Sequence, residues 1–460
     1  MGCAANPHRN DILPGYGRTM TPRLGLAFLT TLALMVVTAA VPAPAQAAAA
    51  RWYCHGHVAT IKGTAGDDVL RGTARRDVIQ AGPGEDVVNG LGGDDIICGA
   101  GGADDLRGQG GNDRLYGDGD TFAEGSQGQL HQIGDTLRGG PGADTLVPGL
   151  DPRSAGELER RIDAIAYDTA PGPVQVRLED QLAVGDGRDR IVANGPVRII
   201  GSRYDDFLLG SSRADTLLGG AGSDRLYGLG GDDRLETDDV TTTGTADDQA
   251  WGGAGNDRIE SSLGDDRLTG DGGDDVLRDT GATSSDVLQG GPGDDFLNDR
   301  GTADEDSLAG DAGSDTLTVS LENLHTVVDG GEGVDGVLLL DTEKALTVDL
   351  ATGTVQLAGT TATAQLLGIE YHRLWAGPTT VIGSPGPDRV AAGSSVFQMN
   401  GLGGDDEFMS GAGADTFDGG DGTDCYTPGP FDRDADTITN TENWDGEGVP
   451  GPCPEWPAGF

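Results

Sequence analysis

The chain has 460 residues, of which 80 are glycine and 76 are acidic, and its formal net charge is −46. Large apolar residues are too sparse for one thick core, and chains of this composition stay disordered unless a strict repeat organises them. The charge excludes nucleic-acid binding through phosphate contacts, which needs clustered Lys and Arg. It also argues against insertion into anionic membranes and predicts that a compact state needs counter-ions.

The first 47 residues have the features of a secretory signal peptide. Arg18 and Arg23 precede an apolar run over residues 24–41, and a small-x-small motif follows at residues 45–47. Met20 is a candidate for the true start, and an uncleaved membrane anchor is the alternative reading. We therefore expect a secreted, extracellular protein that begins near residue 48 and is either released or loosely associated with the cell wall.

Four cysteines follow this segment, and an even number in a secreted chain suggests two disulfides. Three pairings are open. Because two cysteines lie near each end of the chain, the favoured pairs are Cys54–Cys98 and Cys425–Cys453. Residues 48–62 and 428–460 are then expected to be disulfide-tethered caps, which repeat stacks need at their ends.

Nine-residue units begin at Gly63 and continue without a gap to residue 116, reading GTAGDDVLR, GTARRDVIQ, AGPGEDVVN, GLGGDDIIC, GAGGADDLR and GQGGNDRLY. Of 27 such units in the chain, 26 carry aspartate at the sixth position, and Phe397 is the exception. A polar linker would not hold an acid and an aliphatic residue in fixed phase for so long. The later units occupy residues 130–147, 184–192, 201–236, 243–278, 281–298, 301–318, 330–338 and 383–427.

The units divide the chain into three repeat blocks, residues 63–150 with a polar loop at 117–129, residues 201–338 and residues 383–427. Two connectors, residues 151–200 and 339–382, are richer in Val, Leu and Thr. Within them, residues 174–178 and 346–350 alternate like strands, and residues 157–165 are predicted to form a short helix. We expect the connectors to add strands to the stack; small inserted domains are the alternative.

The unit itself predicts the fold. Positions one to six form a turn, in which glycine reaches positive φ without steric cost. Positions seven to nine form a short strand, so position eight points inward while seven and nine point outward. Two units make one coil, and coils stack at about 4.8 Å, the spacing of paired strands. The fold class is therefore all-β, a parallel β-roll (β-solenoid) with strand-rich insertions.

Aspartates two units apart then lie above one another, as Asp68, Asp86 and Asp104 do along one edge. Bare carboxylates at such a separation repel each other by about 4 kcal/mol per close pair at an intermediate dielectric. A cation between turns reverses the sign. Calcium suits these turns, because it accepts six to eight oxygen ligands and takes backbone carbonyls beside carboxylates. Zinc would need imidazole or thiolate ligands.

These units resemble the hemolysin-type calcium-binding repeats of RTX proteins, and the resemblance covers about half of the chain directly. It implies that position-six aspartates and turn carbonyls bind several calcium ions, and that the roll folds on binding. The residues to which this metal-binding role carries over are Asp68, Asp77, Asp86, Asp95, Asp104, Asp113, Asp135, Asp144, Asp206, Asp215, Asp224, Asp233, Asp257, Asp266, Asp275, Asp295, Asp315, Asp406 and Asp415.

The sequence contains neither the H-E-x-x-H motif of zinc proteases nor the G-x-S-x-G motif of hydrolases. His55 and His57, beside Cys54, favour a capping segment over a metal site. We therefore predict a protein without catalytic residues, in a structural or adhesive role, with calcium and an unidentified cell-surface or matrix partner. The alternative is an enzyme that acts on an extracellular polymer through a groove of the solenoid.

Overall fold

The computed structural model describes residues 52–119, 134–149, 162–238, 246–281, 284–301, 305–320, 326–340, 344–359, 363–393, 395–429, 436–441 and 443–444. These residues form 42 strands in a parallel β-solenoid of about 16 turns without a helix. The predicted β-roll is therefore confirmed. Across the same ranges there is no helix that could cross a membrane, and the predicted signal peptide lies outside them.

Successive units alternate between two sheets, so that each coil contributes a strand to both. The first sheet consists of Val69–Arg71, Val87–Gly92, Asp105–Gly110, Thr136–Arg138, Ala164–Ala166, Arg198–Ile200, Thr216–Gly220, Arg234–Asp238, Arg258–Ser261, Val276–Asp279, Phe296–Asp299, Thr316–Ser320, Gly336–Leu340, Tyr371–Trp375, Arg389–Ala392, Glu407–Met409, Cys425–Thr427 and Asn443–Trp444. These strands are all parallel and stack in chain order.

The second sheet is longer and contains two excursions that are described below. Its strands are Ile61–Lys62, Val78–Pro83, Ile96–Gly101, Arg114–Asp118, Thr145–Val147, Gln175–Arg177, Leu182–Val184, Arg188–Ile191, Phe207–Ser211, Arg225–Gly230, Gln249–Ala254, Arg267–Gly272, Val287–Pro292, Ser307–Gly313, Val327–Gly333, Leu346–Asp349, Thr354–Leu357, Thr363–Leu367, Thr379–Ile382, Phe397–Asn400, Thr416–Asp418 and Thr437–Thr439. A separate antiparallel pair, Tyr53–Cys54 and His57–Val58, precedes the roll at its N-terminal end.

The core is a thin ladder of position-eight side chains between the two sheets. Leu226 and Leu235, from consecutive units, are both fully buried, while Arg225 and Tyr227 on either side of Leu226 are not. This alternation confirms the predicted inward and outward positions. In the last coils Phe408 and Phe417 take the inward position, and their rings contact each other. Burying one such side chain contributes roughly 1.5–3 kcal/mol to folding, so stability accumulates coil by coil.

Each excursion of the second sheet is a three-stranded antiparallel meander. In the first, Arg188–Ile191 pairs in parallel with the preceding Thr145–Val147, and Gln175–Arg177 pairs in parallel with the following Phe207–Ser211. Leu182–Val184 runs antiparallel between them. The meander therefore enters the sheet in reversed chain order.

The second meander repeats this arrangement with Leu346–Asp349, Thr354–Leu357 and Thr363–Leu367. The strands predicted within residues 174–178 and 346–350 are thus confirmed. The helix predicted for residues 157–165 is wrong at its described end, because Ala164–Ala166 is a strand held between two neighbours of the first sheet. Tertiary pairing overrides a weak local helix preference there. The start of that predicted helix lies outside the described residues.

A disulfide between Cys54 and Cys98 ties the N-terminal hairpin to the roll, as predicted. His55 stacks on the ring of Tyr116 and lies 2.9 Å from a carboxylate oxygen of Asp118. These contacts hold the hairpin against the second sheet of the first coils, and its role as a cap stays a prediction. Cys425 is also disulfide-bonded, and the cysteine predicted to pair with it, Cys453, lies outside the described residues.

Candidate metal centre

Position-six carboxylates form two ladders, one along each edge of the roll where the turns lie. The first ladder precedes the strands of the first sheet and the second ladder precedes those of the second sheet. In each ladder, Oδ1 of one aspartate accepts a hydrogen bond from the backbone N–H of the position-six residue one coil earlier. Asp215 donates in this way to Asp233 at 2.7 Å, and Asp233 donates to Asp257 at 2.7 Å.

All the aspartates predicted from the sequence lie in these ladders. Those of the first ladder are Asp68, Asp86, Asp104, Asp135, Asp215, Asp233, Asp257, Asp275, Asp295, Asp315 and Asp406. Those of the second ladder are Asp77, Asp95, Asp113, Asp144, Asp206, Asp224, Asp266 and Asp415. The structure therefore brings them together, and their role as metal ligands stays a prediction.

The second carboxyl oxygen of the ladder aspartates, Oδ2, often has no hydrogen-bond partner among the described residues. In thirteen ladder aspartates this atom is buried and accepts no hydrogen bond from the described residues. A buried acceptor without a partner costs about 1–3 kcal/mol and more when charged, so each one calls for an explanation such as an ion. These residues are Asp86, Asp95, Asp113, Asp144, Asp224, Asp233, Asp248, Asp257, Asp275, Asp295, Asp315, Asp335 and Asp406.

Glycine at position one keeps the space beside Oδ2 open. A Cβ added to Gly228 would lie under 3.0 Å from both Oδ2 of Asp233 and the carbonyl oxygen of Gly252 in the next coil. Gly270 has the same relation to Asp275 and to a carbonyl of the following coil. In these turns a carboxylate oxygen and a carbonyl oxygen thus converge on one small space, which a Cβ at the glycine would fill.

Positive φ, which the sequence led us to expect of the turn glycines, belongs to positions two and four. Position four holds glycine at φ values such as 114° for Gly102 and 140° for Gly111. Position two tolerates other residues in the left-handed region, for example Leu91 at 80° and Gln109 at 71°. The glycine of position one is therefore required for close approach and not for its backbone angle.

Burial shifts the titration of the ladders. Desolvation, only partly offset by the backbone hydrogen bond, raises the pKa of Asp144, Asp224 and Asp233 to about 8. Neighbouring ladder carboxylates raise these pKa values further, as Asp257 and Asp215 do for Asp233. The ladder carboxylates are therefore poorly solvated in the roll. They bind protons more readily than ordinary aspartates do unless a cation balances their negative charge.

The donor set of these turns fits calcium. Each turn offers hard oxygen atoms only, from carboxylates and from glycine carbonyls, as calcium prefers. One group of mixed ligands, His55, Cys98 and Asp118, also lies close together. Cys98 is in a disulfide and cannot supply a thiolate, so this group does not form a zinc site. The residues that would hold calcium are the successive ladder carboxylates with the carbonyls of their glycine turns.

Several ladder residues were not among the predicted ligands. Asp189, Asp248, Asp286, Asp306, Asp335, Asp388 and Asp424 stand at position six and could have been named from the repeat register alone. Asp163, Glu370 and Asp436 also accept ladder hydrogen bonds. They lie outside the nine-residue units, so no periodic signal marks them.

The ladders are interrupted at a few coils. Val197 occupies the carboxylate position in the first ladder, and Val174 and Phe397 occupy it in the second. Each of these residues still donates its backbone N–H to the next aspartate but supplies no oxygen ligand. The interruption at Val174 lies in the first meander, and the one at Phe397 lies in the second coil after the second meander.

A family model for the RTX calcium-binding nonapeptide repeat matches the chain over residues 62–97, 99–121, 134–151, 199–236, 242–277, 280–317 and 399–429. The matched segments contain most of the ladder units and neither of the two meanders. No curated protein matches the chain.

Proposed function

Because this chain is an RTX-type calcium-binding repeat protein, we propose that it is secreted, binds several calcium ions in both ladders and folds into the roll as they bind. Its role is structural or adhesive and not catalytic. The observation that carries this proposal is the row of buried Oδ2 atoms without a hydrogen-bond partner among the described residues; at turns such as those of Asp95, Asp233 and Asp275, this oxygen and a carbonyl of the next coil converge beside a glycine.

Folding and binding are coupled through these oxygens. In the unfolded chain each carboxylate is hydrated, and in the roll the same carboxylates are stripped of water and stacked on one another. When bound, calcium supplies the positive charge that this stacking lacks. Since the folded turns gather the oxygen ligands and the unfolded chain does not, the population of the roll follows the free calcium concentration by mass action.

Export suits such a protein. The apolar run and the small-x-small motif support secretion, and the Cys54–Cys98 disulfide is typical of an oxidising compartment. Cell interiors are poor in free calcium, so the chain stays unfolded before export and folds outside. We propose this order of events as part of the function.

An outward-facing aromatic strip supports the adhesive role. Tyr227 and Trp251, on neighbouring strands of the second sheet, stack with their ring centroids 4.4 Å apart, and Phe207 lies 5.5 Å from Tyr227. Arg177 places its guanidinium 5.7 Å from the Phe207 ring. Aromatic and Arg side chains of this kind are the residues that dominate binding energy at interfaces. We propose this strip as the contact for a cell-surface or matrix partner.

Calcium titration of the mature chain, residues 48–460, tests the proposal. Far-UV circular dichroism is expected to show a cooperative gain of β-structure with calcium and none with magnesium at the same concentration, because magnesium demands near-octahedral geometry and keeps its waters. A chain that shows its full β-structure in excess chelator would overturn coupled folding. A chain that stays disordered at saturating calcium would overturn the calcium site itself.

A further inference from the structure

Consecutive coils in the middle of the roll are two residues longer than the regular 18-residue coil. Successive aspartates of the second ladder are separated by 18 residues from Asp248 to Asp266. The separation is 20 residues from Asp266 to Asp286 and again from Asp286 to Asp306. The additional residues, 279–280 and 299–300, follow the nine-residue units that end at residues 278 and 298.

The additional residues extend two strands of the first sheet, Val276–Asp279 and Phe296–Asp299, by one inward position. Asp279 alternates with buried Leu277 along its strand, so its side chain points into the roll, and Asp299 does the same. The two aspartates are paired neighbours in the sheet and are 0% and 1% exposed. Ser261 and Val319 occupy the same column in the coils before and after them.

Asp279 reaches the second ladder from inside the roll. Its carboxylate and those of Asp266 and Asp286 have oxygen atoms that all lie within 4.8 Å of one another. Asp299 occupies the corresponding place one coil later, where its charge and its side-chain hydrogen bond both act on Asp306. Each of these two coils thus brings one additional buried carboxylate to the second ladder.

The second carboxyl oxygens of the added pair are buried among the carboxyl groups of this cluster. Oδ1 of Asp279 accepts the N–H of Gly281 at 2.6 Å, and Oδ1 of Asp299 accepts that of Gly301 at 2.7 Å. Oδ2 of both residues is buried and accepts no hydrogen bond from the described residues. Burial raises the pKa of Asp279, and the charges that raise it further are all carboxylates, those of Asp286, Asp266 and Asp299.

We propose that Asp279 and Asp299 build a distinct cation site in the second ladder, between Asp266 and Asp306, that binds calcium more tightly than the regular turns. A regular pair of turns offers two carboxylates, whereas the turns of Asp266 and Asp286 offer three with Asp279. The affinity of calcium sites rises with the charge count and the rigidity of their ligands. This site therefore fills first as calcium increases. The inference rests on the proposed function, because it assumes that the ladders bind calcium.

The test is equilibrium dialysis of the full mature chain against buffered free calcium, with bound calcium counted at each concentration. Wild type is expected to bind a small class of ions tightly. These sites fill at a free calcium concentration at least about tenfold below the one that fills the other sites. The double variant Asp279→Asn/Asp299→Asn is expected to lose this class and keep the remainder. The matched control, Glu179→Gln/Glu332→Gln, removes two charges from exposed positions and is expected to keep it.

A second variant pair, Asp279→Ser/Asp299→Val, places in the column the residues that already occupy it in the adjacent coils. It is expected to fold at saturating calcium, as judged by circular dichroism, and to lose the tight class as well. Retention of the tight class in either folded variant would overturn the inference and leave the proposed function intact. The same holds if wild type binds calcium in a single uniform class. Wild type that binds no calcium would overturn both.

Discussion

The repeat blocks and the two meanders complete the same roll by different means. In the block around residues 225–278, each turn stacks a buried carboxylate on the next, and the only large inward residue of each unit is its aliphatic one. In the first meander, Val176, Ala183 and Ile191 continue the inward column, with antiparallel pairing and a valine, Val174, at the carboxylate position.

The difference teaches which part of the roll depends on ions. The inward apolar column is continuous through both kinds of region, so it does not distinguish them. The second ladder ends at Asp189, in the first meander strand, and Val174 and Phe397 supply no carboxylate in or beyond the meanders, so most of the electrostatic cost of folding falls in the blocks. We infer that the blocks need a cation in order to fold, and that the meanders need only the strands with which they pair.

Removal of calcium is expected to have the largest effect. With excess chelator at pH 8, residues 201–278 should lose amide protection by several orders of magnitude, because their turns then stack uncompensated charge. Residues 175–191 and 346–367 should exchange more slowly than the blocks. Hydrogen exchange with mass spectrometry measures this difference. Equal loss of protection in blocks and meanders would contradict the comparison.

Acid should partly replace calcium in the blocks. The pKa of Asp144, Asp224 and Asp233 in the roll, about 8, lies above the ordinary aspartate value of 3.8, so between these pH values the folded chain binds more protons than the unfolded one. Stability of the calcium-free chain therefore falls as pH rises through this window.

Circular dichroism of the chelated protein should accordingly show more β-structure at pH 5 than at pH 8. With saturating calcium, this excess of β-structure at pH 5 over pH 8 should disappear or reverse, because protons then compete with the cation for the same oxygens. If the β-structure of the calcium-free chain increased from pH 5 to pH 8, ionisation of the ladder carboxylates would not destabilise the roll, and the prediction would be contradicted.

A methyl group at position one should destabilise a block and not a meander. Gly228→Ala places Cβ against Oδ2 of Asp233 and a backbone carbonyl, neither of which has room to move, so it is expected to cost about 2–4 kcal/mol in the free energy of unfolding. The matched control is Gly172→Ala, ahead of the first meander, where nothing lies within 4 Å of the added Cβ. Denaturant unfolding in saturating calcium measures both, and equal effects would contradict the packing argument.

Removal of one ladder charge should have the smallest effect, and its sign should depend on calcium. Asp233→Asn keeps an oxygen that can accept the N–H of Asp215 but removes a charged ligand, so it should destabilise the calcium-loaded roll by about 1–3 kcal/mol. In chelator at pH 8 the same variant should be more stable than wild type, because a buried charge is gone. Asp180→Asn, an exposed position beside the first meander, should change neither state.

The repeat register predicted what recurs every nine residues. It predicted the inward position of Leu226 and Leu235, the stacking of Asp86 on Asp104, and the two-sheet coil, because sterics and pairing act alike in each unit. It did not predict that Asp163 or Glu370 completes a ladder. Their places depend on how Ala164–Ala166 and Tyr371–Trp375 pair with distant strands.

The sequence also left two features of the site unexplained. The glycine at position one was attributed to backbone freedom, and only the approach of Asp233 to Gly228 reveals that it is a matter of space. The inward direction of Asp279 depends on a strand that continues one residue past its unit. The 20-residue separation from Asp266 to Asp286 was present in the sequence as a signal, but without strand boundaries it does not show which side the extra residues face.

The reversed meanders also give the two sheets different numbers of strands. From Thr136–Arg138 to Arg198–Ile200 the first sheet advances by two strand spacings, while the second sheet advances by four from Thr145–Val147 to Phe207–Ser211. The second meander repeats this imbalance. Each meander is thus a wedge that lengthens one side by about 10 Å at the usual strand spacing. The aromatic strip lies on the strands of the second sheet that directly follow the first meander.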